Sequence, residues 1–226
     1  MPLFRRPYDR NRLLDQATRA RARGHTKKAI AAYQQILERE PANHDLHRRI
    51  APLLAAAGRP EDAWASYRTA VRGLVGKGFL DQAVGVLREA ADALRRERAV
   101  WERLAEIELE RGRPVDAHAA LLAGRRQFRA RRGRADAIRL LARARKLAPD
   151  HFAANFDLAG LLAAAGEPRA AGRILEQLAA AASGPELRRA RARLLRLRPS
   201  PTTAWAWLRS LASRRRSALR TGSSTI

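Results

Sequence analysis

The chain of 226 residues contains no cysteine, which excludes a disulfide framework, a thiolate metal site and a thiol nucleophile. Aromatic residues make up only 5% of it, and most fall at positions that read as packing. The interleaved exposed rings on which nucleic-acid bases stack are therefore missing from the pattern. Lysine occurs only at Lys27, Lys28, Lys77 and Lys146, so the cations are almost all arginine. Acidic side chains are outnumbered, 22 against 46, for a formal charge of +24. Residues 1–12 have charge but no apolar core of an export signal. The alanine-rich runs are interrupted by Arg and Glu before they reach membrane-spanning length, so a cytoplasmic location is expected. There is no glycine-rich phosphate loop, no His-Glu-x-x-His and no Gly-x-Ser-x-Gly elbow, hence no expected catalytic residue, cofactor or small-molecule substrate. Of the five histidines, His44 and His47 stand three apart without a third ligand of fitting type, and no metal site is expected.

What the sequence does contain is a ladder. In the stretch from Gly24 to Pro41, Ala29 has a glycine five residues before it and Tyr33 four residues after it. Equivalent alanines stand at Ala63, Ala83, Ala117, Ala137 and Ala171, at intervals that alternate between 34 and 20 residues. Their preceding glycines are Gly58, Gly78, Gly112 and Gly166, with a slip of one place to Gly133 at the fifth repeat. The residues four further on are Tyr67, Leu87, Leu121, Leu141 and Leu175. A glycine in left-handed conformation ends one helix so that the next begins after a tight turn. Ala and its large i+4 partner share one helical face, which lets two helices approach and interlock. Self-similarity at this period predicts stacked helical repeats without a single core.

These residues resemble the tetratricopeptide repeat family, whose unit is a helix, a turn and a second helix. Ala29, Tyr33 and Pro41 match its Ala, Phe and Pro positions, as do Ala137, Leu141 and Pro149; Trp101, Leu104 and Ala105 stand where its first helix has Trp, Leu and Gly. The alternating 34- and 20-residue spacing suggests a bacterial-type array. The resemblance implies an all-α fold, a tetratricopeptide-like α-solenoid of antiparallel helices forming a right-handed superhelix. It also implies a non-enzymatic scaffold or adaptor that binds a protein or peptide partner in the groove of its first helices. Family members that clasp a C-terminal carboxylate carry Asn at the ninth position of the unit. Here that position holds Thr18, Pro52, Arg72, Glu106, Arg126 and Gly160, so chaperone-tail binding is not implied.

The expected organisation is an irregular segment at 1–9, a repeat array at 10–183, a capping helix at 184–198, and a basic helix and tail at 199–226. Thr26 is a candidate N-cap of the second helix. The 20-residue intervals leave no room for another helix pair. The segments from Pro60 to Lys77 and from Pro114 to about Arg132 are therefore expected to be single long helices serving two units each, giving a 54-residue repeat of three helices. Gly-Arg-Pro-Glu-Asp-Ala at 58–63 and Gly-Arg-Pro-Val-Asp-Ala at 112–117 mark that repeat.

Mapped by the resemblance, the groove positions hold Arg21, Arg48, Arg68 and Arg72, then Glu102, Glu106 and Glu110, then Arg126 and Arg129. An acidic stripe flanked by arginine rows could grip a charged segment, or the rows could pair with one another or lie solvated. The charge is concentrated at the end of the chain, with eleven basic side chains against one acidic in 184–226. There Trp205, Trp207, Leu208 and Leu211 form an apolar side next to Arg209, Arg214, Arg215, Arg216 and Arg220. Such a helix can dock on the preceding pair as a cap, lie on an anionic membrane surface, contact nucleic acid, or present a partner site.

Overall fold

Five of the six ladder glycines end a helix in the same way. Gly24, Gly58, Gly78, Gly112 and Gly166 have φ between 71° and 89°, the left-handed region. In each case the glycine N–H bonds to a carbonyl three residues back and the following N–H to one five back, as in Gly24 to Arg21 (3.0 Å) and His25 to Ala20 (2.8 Å). This is the Schellman arrangement, which satisfies carbonyls that a helix end leaves open.

The computed structural model describes residues 8–221, with side chains as far as residue 211. Most of the expected irregular N-terminal segment, and residues 222–226 of the tail, lie outside the described residues. Among those described, there are twelve α-helices and no strand: α1 (Arg10–Ala22), α2 (Thr26–Leu37), α3 (His44–Ala56), α4 (Pro60–Gly76), α5 (Leu80–Ala93), α6 (Arg98–Glu110), α7 (Pro114–Arg125), α8 (Arg134–Leu147), α9 (Phe152–Ala164), α10 (Pro168–Ala181), α11 (Gly184–Leu197) and α12 (Pro201–Thr221). The chain divides into two compact units, 1–117 and 118–226. In the first, each of α1 to α5 packs on its successor and α3 also reaches α5. In the second, α8 to α12 pack in the same sequential manner and α9 also reaches α11.

The alanine ladder is the packing element. All six marker alanines have no exposed surface, and their i+4 partners are at most 1% exposed. A methyl group beside a bulky side chain sets how closely neighbouring helices meet, and a larger residue at any marker would overpack the contact.

Two expectations need correction. Thr26 is the first residue of α2 rather than its cap: His25 occupies the cap position without a side-chain bond, and the Thr26 hydroxyl reaches only the Gly24 carbonyl at 3.5 Å. The second correction concerns the long helices. The first is continuous, α4 running through Gly73 to Gly76. The second is not, because α7 stops at Arg125. Beyond it the N–H groups of Gln127 and Phe128 bond three residues back, and a single 3-10 turn at Arg131–Gly133 leads into α8. Phe128 turns inward and is 7% exposed. A Cβ at Gly133 would lie 3.2 Å from the Phe128 side chain. Gly133 has φ −91°, so this glycine supplies space for the ring and not a left-handed cap. That explains its displacement by one place in the ladder.

Candidate interaction site

Of the residues expected to form a groove, Arg21 on α1, Arg48 on α3, and Arg68 and Arg72 on α4 are all exposed. Among the described residues none has a carboxylate within ion-pair distance. The glutamates of α6 behave differently. Glu102 pairs with Arg98, and Glu106 (3.1 Å) and Glu110 (3.4 Å) share Arg103 of the same helix. The acidic stripe is thus neutralised along its own helix. Arg126 and Arg129 fall in the turn after α7, where Arg129 donates to the Arg126 carbonyl at 3.2 Å.

At α12 the expected apolar side is split. Trp205, Leu208 and Leu211 are exposed, at 58%, 48% and 39%, whereas Trp207 is half-buried. Arg209 lies over the Trp205 ring at 5.5 Å, and Arg191 of α11 donates to the Ala206 carbonyl at 2.9 Å, tying α12 to its neighbour. The side chains of Arg214, Arg215, Arg216 and Arg220 lie outside the described residues. The His44 and His47 rings turn to different carbonyls, those of Thr69 and Pro41, each at 3.0 Å.

Two features escape sequence reasoning. One is an ion network between α5 and α6. Glu108, 2% exposed, meets Arg111 at 2.7 Å and Arg88 at 3.5 Å, and Arg111 also holds Asp81. The ladder gives no hint that an acidic residue in α6 is buried.

The other is a cleft of about 740 Å³ between α9 and α11, floored by Phe156, Leu175 and Leu197 and edged by Arg189, Arg193 and Arg196. The three arginines are four and three residues apart, so they share one face of α11. Among the described residues none of them has a carboxylate in ion-pair range. Arg193 lies over the Phe156 ring at 4.7 Å and donates to the Phe156 carbonyl at 3.4 Å. Signals for this cleft did exist in the sequence: arginine at helical spacing within a segment of one acid, and glycines at 160 and 172 inside helices.

Profiles of the tetratricopeptide repeat match residues 14–74 and 134–194. Together these spans cover more than half of the chain, which belongs to the tetratricopeptide repeat family. No curated protein matches it in sequence. Similar solved structures include the MamA protein, 14% identical over 74% of this chain and 88% of that one, with a TM-score of 0.30. A tetratricopeptide repeat protein from Parabacteroides merdae is 12% identical over 89% and 98%, with a TM-score of 0.28. The Pseudomonas aeruginosa pilF protein is 18% identical over 90% and 97%, with a TM-score of 0.27. Likenesses this loose carry no argument about partners. Repeats of this family generally mediate protein–protein interaction, and that coarse role is the one the family match supplies.

Proposed function

We propose that the chain is a non-enzymatic adaptor that captures a segment of a protein partner on its repeat surface. The observation that carries this reading is the uneven matching of charge. Glu102, Glu106 and Glu110 of α6 are neutralised by Arg98 and Arg103, while Arg21, Arg48, Arg68 and Arg72 stand exposed with no carboxylate in range among the described residues. Uncompensated surface cations of this kind steer and orient a complementary acidic partner more than they stabilise the fold. The double variant Arg68→Glu with Arg72→Glu tests it in a pull-down from native lysate. Capture should be lost while helicity by circular dichroism stays the same; unchanged capture would remove these residues from the binding surface.

A second reading, recruitment to an anionic membrane surface, is favoured by the exposed Trp205, Leu208 and Leu211 on α12 and by the arginines that follow them in sequence. No described helix is long and apolar enough to cross a membrane. Contact would therefore be with the surface.

A further inference from the structure

We infer that the cleft between α9 and α11 binds an acidic protein segment in which carboxylates alternate with apolar side chains. The inference deepens the adaptor reading and rests on it. Gly160 sits inside α9, where glycine costs about 1 kcal/mol relative to alanine. A Cβ at that position would fall 2.3 Å from Nη2 of Arg193 and 2.8 Å from its Cζ. The missing side chain is what admits the guanidinium to its place over Phe156.

The same device recurs one helix on. A Cβ at Gly172 would meet the Arg198 guanidinium at 2.9 Å, but Arg198 is matched by Glu176 at 3.3 Å. Arg193 is held over Phe156 and has no counter-charge among the described residues. Arg189 lies one turn before it and Arg196 one turn after. The one acid of residues 184–226, Glu186, lines a different pocket.

A row of guanidiniums above an apolar floor, with the central one held over Phe156, is complementary to carboxylates spaced by about 6.5 Å, the separation of every second residue in an extended segment, with an apolar side chain between them. The occupant comes from another protein, because residues 199–226 of this chain are basic and would be repelled. A single-stranded nucleic acid suits the cleft less well. The Phe156 face is already covered by Arg193, and the rest of the floor is aliphatic, so no ring is free for a base to stack on.

The experiment uses the full chain and a fluorescein-labelled peptide of alternating Glu and Leu, with binding read by anisotropy at low and high salt. Binding that weakens with salt is expected, along with loss of roughly tenfold or more in affinity in the double variant Arg189→Glu with Arg196→Glu at unchanged helicity. Gly160→Ala supplies the second arm. It displaces Arg193 from Phe156, so peptide binding should weaken several-fold while thermal stability holds or rises. Equal binding by either variant, or equal binding of a peptide with Gln in place of Glu, would overturn the inference. So would an RNA oligonucleotide that binds more tightly and displaces the peptide. Failure of the peptide with capture through Arg68 and Arg72 intact removes this cleft alone. Loss of the adaptor reading with peptide binding intact is the opposite pattern, so the two failures are distinguishable.

Discussion

The imidazole of His44 occupies the space that a side chain at residue 73 would need. A Cβ on Gly73 would lie 2.1 Å from the His44 ring, whose Nδ1 sits 3.0 Å from the Thr69 carbonyl one turn earlier on α4. Since a carbonyl only accepts, Nδ1 carries the proton in this contact. Gly73 is buried inside α4 and His44 opens α3, so the pair sets the approach of two helices.

Gly73→Ala is therefore destabilising although alanine favours helix, with an expected loss of about 1–3 kcal/mol from overpacking. Gly85 is the control. It lies inside α5 with nothing within 4 Å of an added Cβ, and Gly85→Ala should stabilise by about 0.5–1 kcal/mol. Thermal unfolding of the two variants decides the matter, since equal shifts of the same sign would show that His44 moves aside freely.

Glu108 is the acid whose loss should matter most. Its carboxylate is buried between Arg111 and Arg88, and Arg111 is itself only 11% exposed. Glu108→Ala leaves Arg111 with Asp81 as its remaining carboxylate among the described residues and is expected to cost about 1.5–3 kcal/mol. Replacing both partners together should cost clearly less than the sum of the two single changes. Additive losses in denaturant titration would mean that the pair contributes no coupling.

His118 gives the fold a pH dependence of definite sign. Its ring lies 4.8 Å from that of His151, and its Nε2 is buried without a hydrogen-bond partner among the described residues. Burial first, and the neighbouring His151 second, hold its pKa below the ordinary histidine value of 6.5. The unfolded chain then binds the proton more readily than the folded one. Stability is full above the unfolded value and is lost as the pH falls through the folded one. His118→Asn should flatten the drop in unfolding midpoint between about pH 7 and about pH 5. An NMR titration midpoint for His118 at or above that of a free histidine would contradict the assignment.

Membrane recruitment through α12 is testable by flotation with phosphatidylserine vesicles. Trp205→Glu removes the most exposed ring of the ridge and should cut flotation by roughly an order of magnitude. It should leave the Arg191 bond to the Ala206 carbonyl in place. Flotation equal to that of the parent chain would assign the ridge another role.

The repeat was legible because its markers report backbone geometry. A glycine that must adopt positive φ and an alanine that must be small leave a periodic trace, and five glycines and all six alanines perform those roles. Gly133 carries the same letter for a different reason, the space needed by Phe128, and the helix expected to run to about Arg132 ends at Arg125. The proposed binding surfaces are less legible for a related cause. Whether an arginine is compensated depends on what faces it across a helix contact, as with Arg198 and Glu176 against the unmatched Arg193. No spacing along one helix records that.

The turns at Gly24 and Gly58 share one φ and one pair of closing bonds, and exactly one helical hairpin separates them. Cutting the chain at the first and rejoining it at the second would therefore restore the junction it removed. Growth or shortening of this part of the molecule is quantised: a whole hairpin can be gained or lost without a new turn being invented, whereas a change of a single residue, as around Gly133, forces the backbone to find another solution.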